Sequence, residues 1–390
     1  MSHKVAVTRC SDYKLDTVYN TIAESLELLG GVGAYVSSGD TVLLKPNVLA
    51  AWEPEKAVTT HPYVVEAVAR LVQDAGGKVL IGESSGGSGY NKTEEALRRS
   101  GIADAAQRTA SELLDFDKLS TETRYVEMID REISFPSVIA DVDITISLPK
   151  LKTHSLTGIT GAIKNMFGTI PGPKKAQMHK EFPDKEFFSR ALVGVFATVR
   201  PKLSIMDGIV AMEGNGPAAG TPKSVGFVIV SEDAVAMDTL VTEKIAKIDA
   251  DYIDMLRFGG EAGLGSNDIN RIEVLGQSLD GYKEEKGFRL PITYAVYSKG
   301  WLPDRFKAAF MKMAYKAPVP RITSNCIGCG RCVESCPVEA IQLTRKGRDD
   351  RGRKAIIDLE KCISCFCCHE MCKDNGVEPY IPRIWRMNKI

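Results

Sequence analysis

The fold of the C-terminal region is decided by the stretch Cys326-Ile-Gly-Cys329-Gly-Arg-Cys332-Val-Glu-Ser-Cys336-Pro337. A second stretch, Cys362-Ile-Ser-Cys365-Phe-Cys-Cys368-His-Glu-Met-Cys372, repeats its spacing of three close cysteines and a trailing one. Nine of the ten cysteines fall in the last 65 residues, and the long N-terminal region holds only Cys10. Disulfide frameworks are typical of short secreted chains, so this clustering in a long chain predicts metal binding.

The two runs resemble the motif of bacterial ferredoxins that carry two 4Fe-4S clusters, C-x2-C-x2-C-x3-C-P. The resemblance covers about Thr323 to Val377 and includes a hairpin signal around the segment from Lys346 to Gly352. It implies that three cysteines of one run and the trailing cysteine of the other bind each cluster. The implied ligands are Cys326, Cys329, Cys332 and Cys372 for the first cluster, and Cys362, Cys365, Cys368 and Cys336 for the second.

Two departures from the ferredoxin motif stand in the second run. Lys373 occupies the position where proline is frequent, and Cys367 lies beside a predicted ligand. We interpret Cys367 as a buried spare thiol. The alternative is that Cys367 replaces Cys368 as a cluster ligand.

Two other kinds of site also use closely spaced cysteines. Structural zinc sites favour paired C-x2-C knuckles, whereas this sequence has triple runs with a trailing cysteine. The C-x-x-C-H match to a haem attachment site, which ends at His369, is treated as accidental because the iron–sulfur spacing is complete.

Composition limits the class of protein. The chain has 390 residues, 44% apolar and 26% charged, which is ordinary for a globular protein and too long for one simple core. The formal net charge is zero, so a nucleic-acid partner has no electrostatic support. No apolar run is long enough for a membrane span, and the first residues lack the pattern of a secretory signal. We therefore expect a cytoplasmic protein.

The N-terminal region alternates short β-branched runs with helical stretches, which predicts an α/β fold with a mainly parallel sheet and flanking helices. Helices are expected at about Asp16–Leu29, His61–Ala75, Thr93–Ser100, Phe187–Thr198 and Ala234–Ile248. Strands are expected at Val5–Thr8, Thr41–Leu44, Lys78–Ile81, Asp143–Leu148, Lys202–Met206, Gly226–Val230 and Ile272–Leu275.

The alternation divides the chain into three parts. Residues 1–280 form the predicted α/β ligand-binding domain, 281–322 a connector and 323–390 a small α+β ferredoxin-like domain. The connector contains an amphipathic stripe made by Leu302, Phe306, Phe310 and Met313. We interpret that stripe as a packed interdomain face, with a membrane surface as the alternative.

Polar or glycine-rich loops follow several of the predicted strands. Ligands of open α/β sheets bind outside the carboxyl ends of strands, so these loops are the predicted pocket. The loop from Lys150 to His154, followed by Thr157 to His179, combines lysines with glycine-rich backbone and suits an anionic ligand, while a solvated basic loop is the alternative. The candidate binding residues are Lys45, Asn47, Glu83, Lys150, Lys152, Asn165, Asp207, Glu213 and Asp238. Neither a P-loop nor a dinucleotide-binding fingerprint is present.

The segments Leu44-Lys-Pro-Asn47, Thr59-Thr-His-Pro62, Leu148 to His154, Gly161-Ala-Ile-Lys-Asn165 and Glu213-Gly-Asn-Gly-Pro217 resemble the domain of unknown function 362 family. The resemblance covers about residues 4 to 276. This family is often fused to ferredoxin modules, and it lacks a generally assigned reaction.

A fainter resemblance connects the same region to the N-terminal domain of nickel-pincer lactate racemases. By analogy Lys164 would carry the covalent pincer, His179 would ligate nickel and His154 would act as acid or base. The sequence departs from that family after the third strand, where Glu83-Ser84 replaces a catalytic His-Arg. That difference argues against racemisation, while an unidentified organic or nickel cofactor stays among the predictions.

Three functions are consistent with these patterns. The leading hypothesis is an oxidoreductase that passes electrons from the cluster module to an anionic small molecule near His154, Lys164 and His179, with a ferredoxin or reductase as redox partner. The second is a non-enzymatic electron carrier or cluster-maturation protein that docks a partner. The third is a nickel-pincer-like isomerase or lyase.

Overall fold

A mixed, mostly parallel sheet forms the centre of the N-terminal domain in this computed structural model, which describes residues 3–86, 92–279, 282, 287–294, 318–344 and 352–382. Its main strands lie in the order β12-β1-β11-β10-β7-β2-β3-β4, with β8 paired to β10 and β9 paired to β8. The strands of the N-terminal domain are β1 (His3–Arg9), β2 (Thr41–Pro46), β3 (Lys78–Glu83), β4 (Glu112–Asp115), β5 (Thr121–Val126), β6 (Arg131–Pro136), β7 (Ile144–Leu148), β8 (Lys150–His154), β9 (Gly158–Ile159), β10 (Leu203–Glu213), β11 (Thr221–Ser231) and β12 (Ile272–Gly276).

Helices cover both faces of this sheet. Val18 of α1 and Val64 of α2 pack on one face, whereas Leu192 of α8 and Val235 of α9 pack on the other. The described helices are α1 (Leu15–Glu27), α2 (Pro62–Asp74), α3 (Lys92–Arg99), α4 (Ile102–Arg108), α5 (Val138–Asp141), α6 (Gly161–Asn165), α7 (Gly172–Glu181), α8 (Lys185–Val199), α9 (Ala234–Leu240) and α10 (Asp254–Glu261). Burial of apolar side chains on both faces explains the continuous apolar runs of the central strands.

The α/β prediction is confirmed, with additions. All seven predicted strands are present, and the antiparallel pairs β1–β11 and β10–β11 make the sheet mixed. The segment Lys150–His154, predicted as a loop, is strand β8 beside β10, so that prediction is wrong. The predicted helix from Ala234 to Ile248 is α-helical to Leu240 and continues as a π-helical turn over Val241–Ile245.

The C-terminal module consists of two short antiparallel ladders and two single-turn helices. Strand β13 (Val319–Ile322), which was predicted as connector, pairs with β16 (Val377–Tyr380), and β14 (Ile341–Leu343) pairs with β15 (Ala355–Ile357). Helix α11 (Arg331–Glu334) and helix α12 (Cys367–Glu370) each include cysteines of one run. The module therefore has the small α+β arrangement that the two runs predicted.

Three predicted features lie wholly or partly outside the described residues. They are the amphipathic stripe from Leu302 to Met313, most of the glycine-rich segment after Ser85, and the hairpin segment from Lys346 to Gly352 apart from its last residue. Within the part of the chain that the structure describes, no helix is both long and apolar enough to cross a membrane.

Candidate functional site

A small cavity lies where the C-terminal module meets the carboxyl edge of the sheet. Its walls come from the residues that follow β2 and β3, from β8, and from α6 and α7. The sheet order places β2 between β3 and β7, so the chain turns to opposite sides at this point, which is where α/β sheets bind ligands. The volume open to the centre of a water molecule is about 80 Å³. About 10–15 Å³ of such space holds one water, so the cavity fits roughly five to eight waters or a small organic molecule.

The cavity brings together seven of the predicted site residues: Asn47, Glu83, Lys152, His154, Lys164, Asn165 and His179. Lys45 lies directly behind them, fully buried, with Nζ 2.5 Å from Glu83 Oε2. Glu83 also accepts a hydrogen bond from the Val48 amide. Burial lowers the pKa of Lys45 and raises that of Glu83, and each charge opposes the shift of the other. This pair therefore forms a charged floor beneath the cavity.

Four other predicted residues lie elsewhere in the structure. Lys150 Nζ is 2.7 Å from Asp207 Oδ2 in a buried pair, and the Tyr13 hydroxyl donates to the other oxygen of Asp207. Glu213 instead forms an ion pair with Arg289, with 2.6 Å between Oε1 and Nε. Asp238, the further candidate, accepts hydrogen bonds from the Ala162 and Ile163 amides and so fixes the start of α6. These four acidic and basic groups support the fold around the cavity.

Two buried lysines of the cavity are held by oxygen acceptors. Lys152 Nζ donates to the Val58 carbonyl at 2.6 Å, and Lys175 Nζ donates to the Ser84 hydroxyl at 2.8 Å. Burial lowers the pKa of Lys152 to about 7, with a further contribution from the nearby Lys164 charge. Burial also lowers the pKa of Lys175 to about 8. Both ammonium groups therefore lose protons more readily than an exposed lysine does, and an anion beside them would restore their charge.

His154 is oriented by the backbone on one side and by the C-terminal module on the other. Its Nδ1 accepts hydrogen bonds from the Leu156 and Thr157 amides, at 3.0 and 3.3 Å, so the proton of the neutral ring lies on Nε2. Nε2 is 3.2 Å from Glu370 Oε1. Burial and the Lys164 charge lower the pKa of His154 to about 4, so the ring is neutral at pH 7.

Glu370 carries a negative charge in this environment. Burial opposes its ionisation, but the groups around it, His154, Lys164 and His179, outweigh that effect and lower its pKa to about 2. Because the His154 ring is neutral at pH 7, it stabilises the carboxylate through its Nε2–H, and Lys164 does so through charge. The result is a histidine–carboxylate pair that spans the two domains.

Lys164 and His179 are the less constrained members of the site. Lys164 Nζ lies 5.2 Å from the centroid of the Phe167 ring and makes no hydrogen bond or ion pair with any described residue. Burial lowers its pKa, whereas the charge of Glu370 raises it. The His179 ring stacks on Phe188 with centroids 4.2 Å apart, and burial lowers its pKa to about 4. Both side chains are therefore available to a ligand.

Buried polar atoms without hydrogen-bond partners line the cavity. They are Asn47 Oδ1, Thr160 Oγ1, Asn165 Oδ1, His179 Nδ1 and Glu370 Oε1, the last of which lies 3.2 Å from His154 Nε2 without the geometry of a hydrogen bond. Most buried polar atoms in proteins have a partner, and each exception needs an explanation. A polar ligand that supplies the missing partners is that explanation here.

The sequence patterns did not identify Glu370, Cys367 or Lys175 as binding residues. Glu370 and Cys367 lie inside the second cysteine run, which conceals any other role, and Lys175 stands in a basic segment with Lys174. The thiol of Cys367 lines the cavity, while the predicted cluster ligand Cys368 next to it is 5% exposed. Docking of the module against the sheet brings Glu370 and Cys367 into the site, whereas Lys175 is placed there by α7 and its hydrogen bond to Ser84.

The module is held against the N-terminal domain by contacts from α12 and the residue after the second run. His369 Nε2 lies 3.0 Å from the Asn215 carbonyl oxygen, and its Nδ1 lies 2.9 Å from that of Val377. Lys373 Nζ donates to the Ala51 carbonyl and lies 5.3 Å from the Trp52 ring. Lys373, which departs from the ferredoxin motif, thus fixes the module over the cavity.

Replacing Lys373 with alanine is expected to loosen this docking by about 1 kcal/mol, because one hydrogen bond and one cation–π contact are lost. Hydrogen–deuterium exchange of α12 should then accelerate several-fold, while exchange of β10 should not change. Lys361→Ala is the matched control, since Lys361 is 62% exposed and pairs with Asp358 in the same module. Equal exchange in the two variants would contradict a docking role for Lys373.

The eight predicted cluster ligands form two groups. Cys326, Cys329, Cys332 and Cys372 line one small cavity. In the second group, Cys362 interacts electrostatically with Cys365 and Cys336, and Cys368 interacts with all three of these thiols and also with Cys332. Backbone amides donate to two sulfurs in each group, with the amides of Ala355 and Gly376 in the first and those of Ala340 and Ser364 in the second. Burial, followed by the neighbouring thiols, raises the pKa of Cys332 to about 11. Such crowded thiols with amide donors fit iron–sulfur clusters, because iron compensates the thiolate charge.

Comparison with known proteins agrees with this two-part architecture. The model of the domain of unknown function 362 family matches residues 42–243, and that of a 4Fe-4S dicluster domain matches residues 325–375. The thylakoid-associated protein sll1697 of Synechocystis is 36% identical over 246 residues, which cover 62% of this chain and 74% of that protein. A ferredoxin of Alicyclobacillus acidocaldarius is 40% identical over 65 residues, 16% of this chain and 74% of its own length.

A solved structure gives a more distant comparison. The lactate racemase apoprotein from Thermoanaerobacterium thermosaccharolyticum is 11% identical, with a TM-score of 0.40; the match covers 63% of this chain and 58% of that one. A likeness at this level says nothing about activity. The two family matches and the cyanobacterial relative are decisive: the chain belongs to the domain of unknown function 362 family and carries a C-terminal 4Fe-4S ferredoxin-like domain.

Proposed function

We propose that the protein is an iron–sulfur oxidoreductase whose C-terminal module exchanges electrons with a small anion in the cavity. The observation that carries this proposal is the position of helix α12. Its residues Cys367 and Glu370 line the same cavity as Lys164 and His154 of the N-terminal domain. The cysteine run and the ligand cavity are therefore neighbours, as electron exchange between them requires.

The proposed cofactors are two 4Fe-4S clusters with the crossed ligand sets described above. When bound, such clusters supply or accept single electrons. Cys336 belongs to the group of the second run, and its sulfur accepts a hydrogen bond from the Ala340 amide at 3.2 Å. Cys372 belongs to the group of the first run, and its sulfur accepts from the Gly376 amide at 3.1 Å. Cys367 faces the cavity and is left out of both sets.

The charge of the cavity supports an anionic ligand. Lys45 and Glu83 compensate each other, which leaves Lys152, Lys164 and Lys175 opposite the single carboxylate of Glu370. Buried ammonium groups are stable when an anion pairs with them. In this arrangement Lys164 pairs with the anion, while the Nε2–H of His154 stays beside Glu370.

The two other functions have less support. A carrier or maturation protein does not require a cavity lined by residues with buried, unpartnered polar atoms. Against a pincer-type nickel enzyme stands the sequence difference after the third strand, where Glu83-Ser84 replaces the catalytic His-Arg of that family. We further propose that a ferredoxin or reductase is the redox partner, and that the protein works in the cytoplasm, where reducing conditions preserve cysteines for cluster binding.

Anion affinity should depend on pH through Lys152 and Lys175. The protonated lysine binds the anion, so affinity is highest below about pH 6.5 and falls as pH rises through about 7 and 8. For each lysine that loses its proton, the association constant for the anion falls by up to about tenfold per pH unit. The charged groups facing Lys152 are Lys164, Glu370, Lys150 and Glu83.

Isothermal titration calorimetry from pH 6 to 9 in buffers of different ionisation enthalpy measures both the affinity and the proton uptake. Lys152→Met should remove part of the pH dependence, because one of the two titrating groups is gone. Affinity that stays constant between pH 6 and 9 would contradict the assignment. His154 and His179, with pKa values of about 4, do not titrate in this range.

The test of the proposed function is anaerobic purification followed by metal analysis and mass spectrometry of co-purifying small molecules. We expect about eight irons per chain and an anionic molecule that is retained by the wild type. Lys164→Met should lose the molecule and keep the iron. Lys174→Met is the matched control, because Lys174 lies on α7 and is exposed. An anion retained equally by Lys164→Met and the control would place binding outside this cavity.

A further inference from the structure

The residues that line the cavity indicate a ligand with other groups besides a negative charge. We propose that its ligand is a small organic carboxylate that also carries an O–H or N–H hydrogen-bond donor, with the carboxylate at Lys164 and the donor at Asn165. This inference rests on the proposed function and narrows the anion to a chemical class. Three features of the cavity support it. They are the Lys164 ammonium, which has no hydrogen-bond or ion-pair partner among the described residues, the Asn165 Oδ1 acceptor, whose identity is fixed by the bonds of Nδ2, and the apolar part of the cavity wall.

The first feature is the charge of Lys164. Its neighbours Lys152 and Lys175 already donate hydrogen bonds to protein oxygens. Lys164 Nζ has no such partner among the described residues, although its side chain lines the cavity. An ammonium that is freely directed into a small space pairs best with a carboxylate or a similar oxyanion.

The second feature is an acceptor of fixed orientation. Asn165 is 1% exposed, and its Nδ2 donates to the Lys45 carbonyl and to the Ser147 hydroxyl, each at 3.0 Å. These two bonds settle which end of the amide is oxygen. Oδ1 is therefore an acceptor without a partner among the described residues, on a side chain that lines the cavity. A ligand that only accepts hydrogen bonds, such as a plain carboxylate, leaves this atom unpaired.

The third feature separates organic from inorganic ligands. Inorganic phosphate also combines negative charge with an O–H group, so charge and donor alone do not exclude it. Part of the cavity wall is apolar, however, and that part offers contact to carbon and not to phosphate oxygens. The apolar residues that line it are Val48, Leu49, Phe167, Ala176, Pro217 and Met371. Its volume of about 80 Å³ restricts the ligand to a few carbon atoms.

Binding of matched acids to the anaerobically purified holoprotein tests this inference. Glycolate and acetate differ by one hydroxyl, as do malate and succinate, and inorganic phosphate is the competing ligand. By calorimetry we expect the hydroxy acid of at least one pair to bind about tenfold more tightly than its partner, because the partner leaves Asn165 Oδ1 unpaired. We also expect Lys164→Met to weaken both members of that pair equally, and Lys174→Met to change neither.

The outcomes separate the inference from the proposed function. Equal affinity within both pairs, with binding that still depends on Lys164, would overturn the donor requirement and leave an anion site intact. Tighter binding of phosphate than of all four acids would overturn the organic class. Binding that does not depend on Lys164, or no binding of any of the five probes, would overturn both the inference and the anion cavity of the proposed function.

Discussion

Cys336→Ser should remove about half of the iron, from about eight atoms per chain to about four. The serine stands in the first run, yet the loss is expected in the cluster of the second run, because Cys336 lies with Cys362, Cys365 and Cys368. The electron paramagnetic resonance spectrum of the reduced variant should therefore match that of Cys365→Ser and differ from that of Cys329→Ser.

Cys367→Ser is the control for this experiment. It stands between two ligands of the second run, but its side chain lines the cavity. The variant should keep about eight irons. A Cys336→Ser spectrum that matches Cys329→Ser would show that the trailing cysteines are not exchanged between the runs, and loss of a cluster in Cys367→Ser would assign that thiol as a ligand.

Lys45→Met should lower the free energy of unfolding of the N-terminal domain by about 3–5 kcal/mol, because it leaves the Glu83 carboxylate buried without its cation. Lys45 is fully buried, and Glu83 is 1% exposed. In the variant Glu83 must take up a proton. Burial raises the pKa of Glu83 and therefore favours this protonation. Urea unfolding followed by far-ultraviolet circular dichroism measures the difference.

Two further variants make this measurement specific. The double variant Lys45→Met/Glu83→Gln should recover part of the loss, because no charge is left unpaired. Lys118→Met breaks an ion pair with Glu94 on the surface, where Lys118 is 48% exposed, and should cost far less stability than Lys45→Met. A cost for Lys45→Met as small as that for Lys118→Met would contradict the role of this pair as the floor of the cavity.

The sheet was predictable because its strands are buried on both faces. Runs such as Thr41–Leu44 and Gly226–Val230 are β-branched and apolar, and their lengths distinguish them from helices. Strand β8 was mistaken for a loop because Lys150, Lys152 and His154 alternate where apolar residues are expected. All three are buried, each with polar partners that come from other parts of the chain. Hydrophobic periodicity cannot reveal a strand whose burial depends on such distant partners.

The sequence predicted anion binding by the lysines and histidines around His154, and the sheet rule predicted the edge where the cavity lies. It did not predict that the C-terminal module lies against that cavity. Glu370 belongs to a run whose cysteine spacing already explains it, so no local pattern indicates a second role. Its place beside His154 depends on docking between two domains, and contacts such as Lys373 to Ala51 have no signature in either segment alone.

If the cluster module and the cavity act as one redox unit, reoxidation of the reduced clusters depends on the side chains that bind the ligand in the cavity. The protein is reduced with dithionite, freed of excess reductant and mixed anaerobically with a deproteinised small-molecule extract of cells, while cluster absorbance is followed by stopped flow. We predict equal rates for the wild type and Lys174→Met, and a rate lower by about thirtyfold or more for Lys164→Met, since a buried charge partner of the anion is lost. Identical rates for all three proteins would contradict the account.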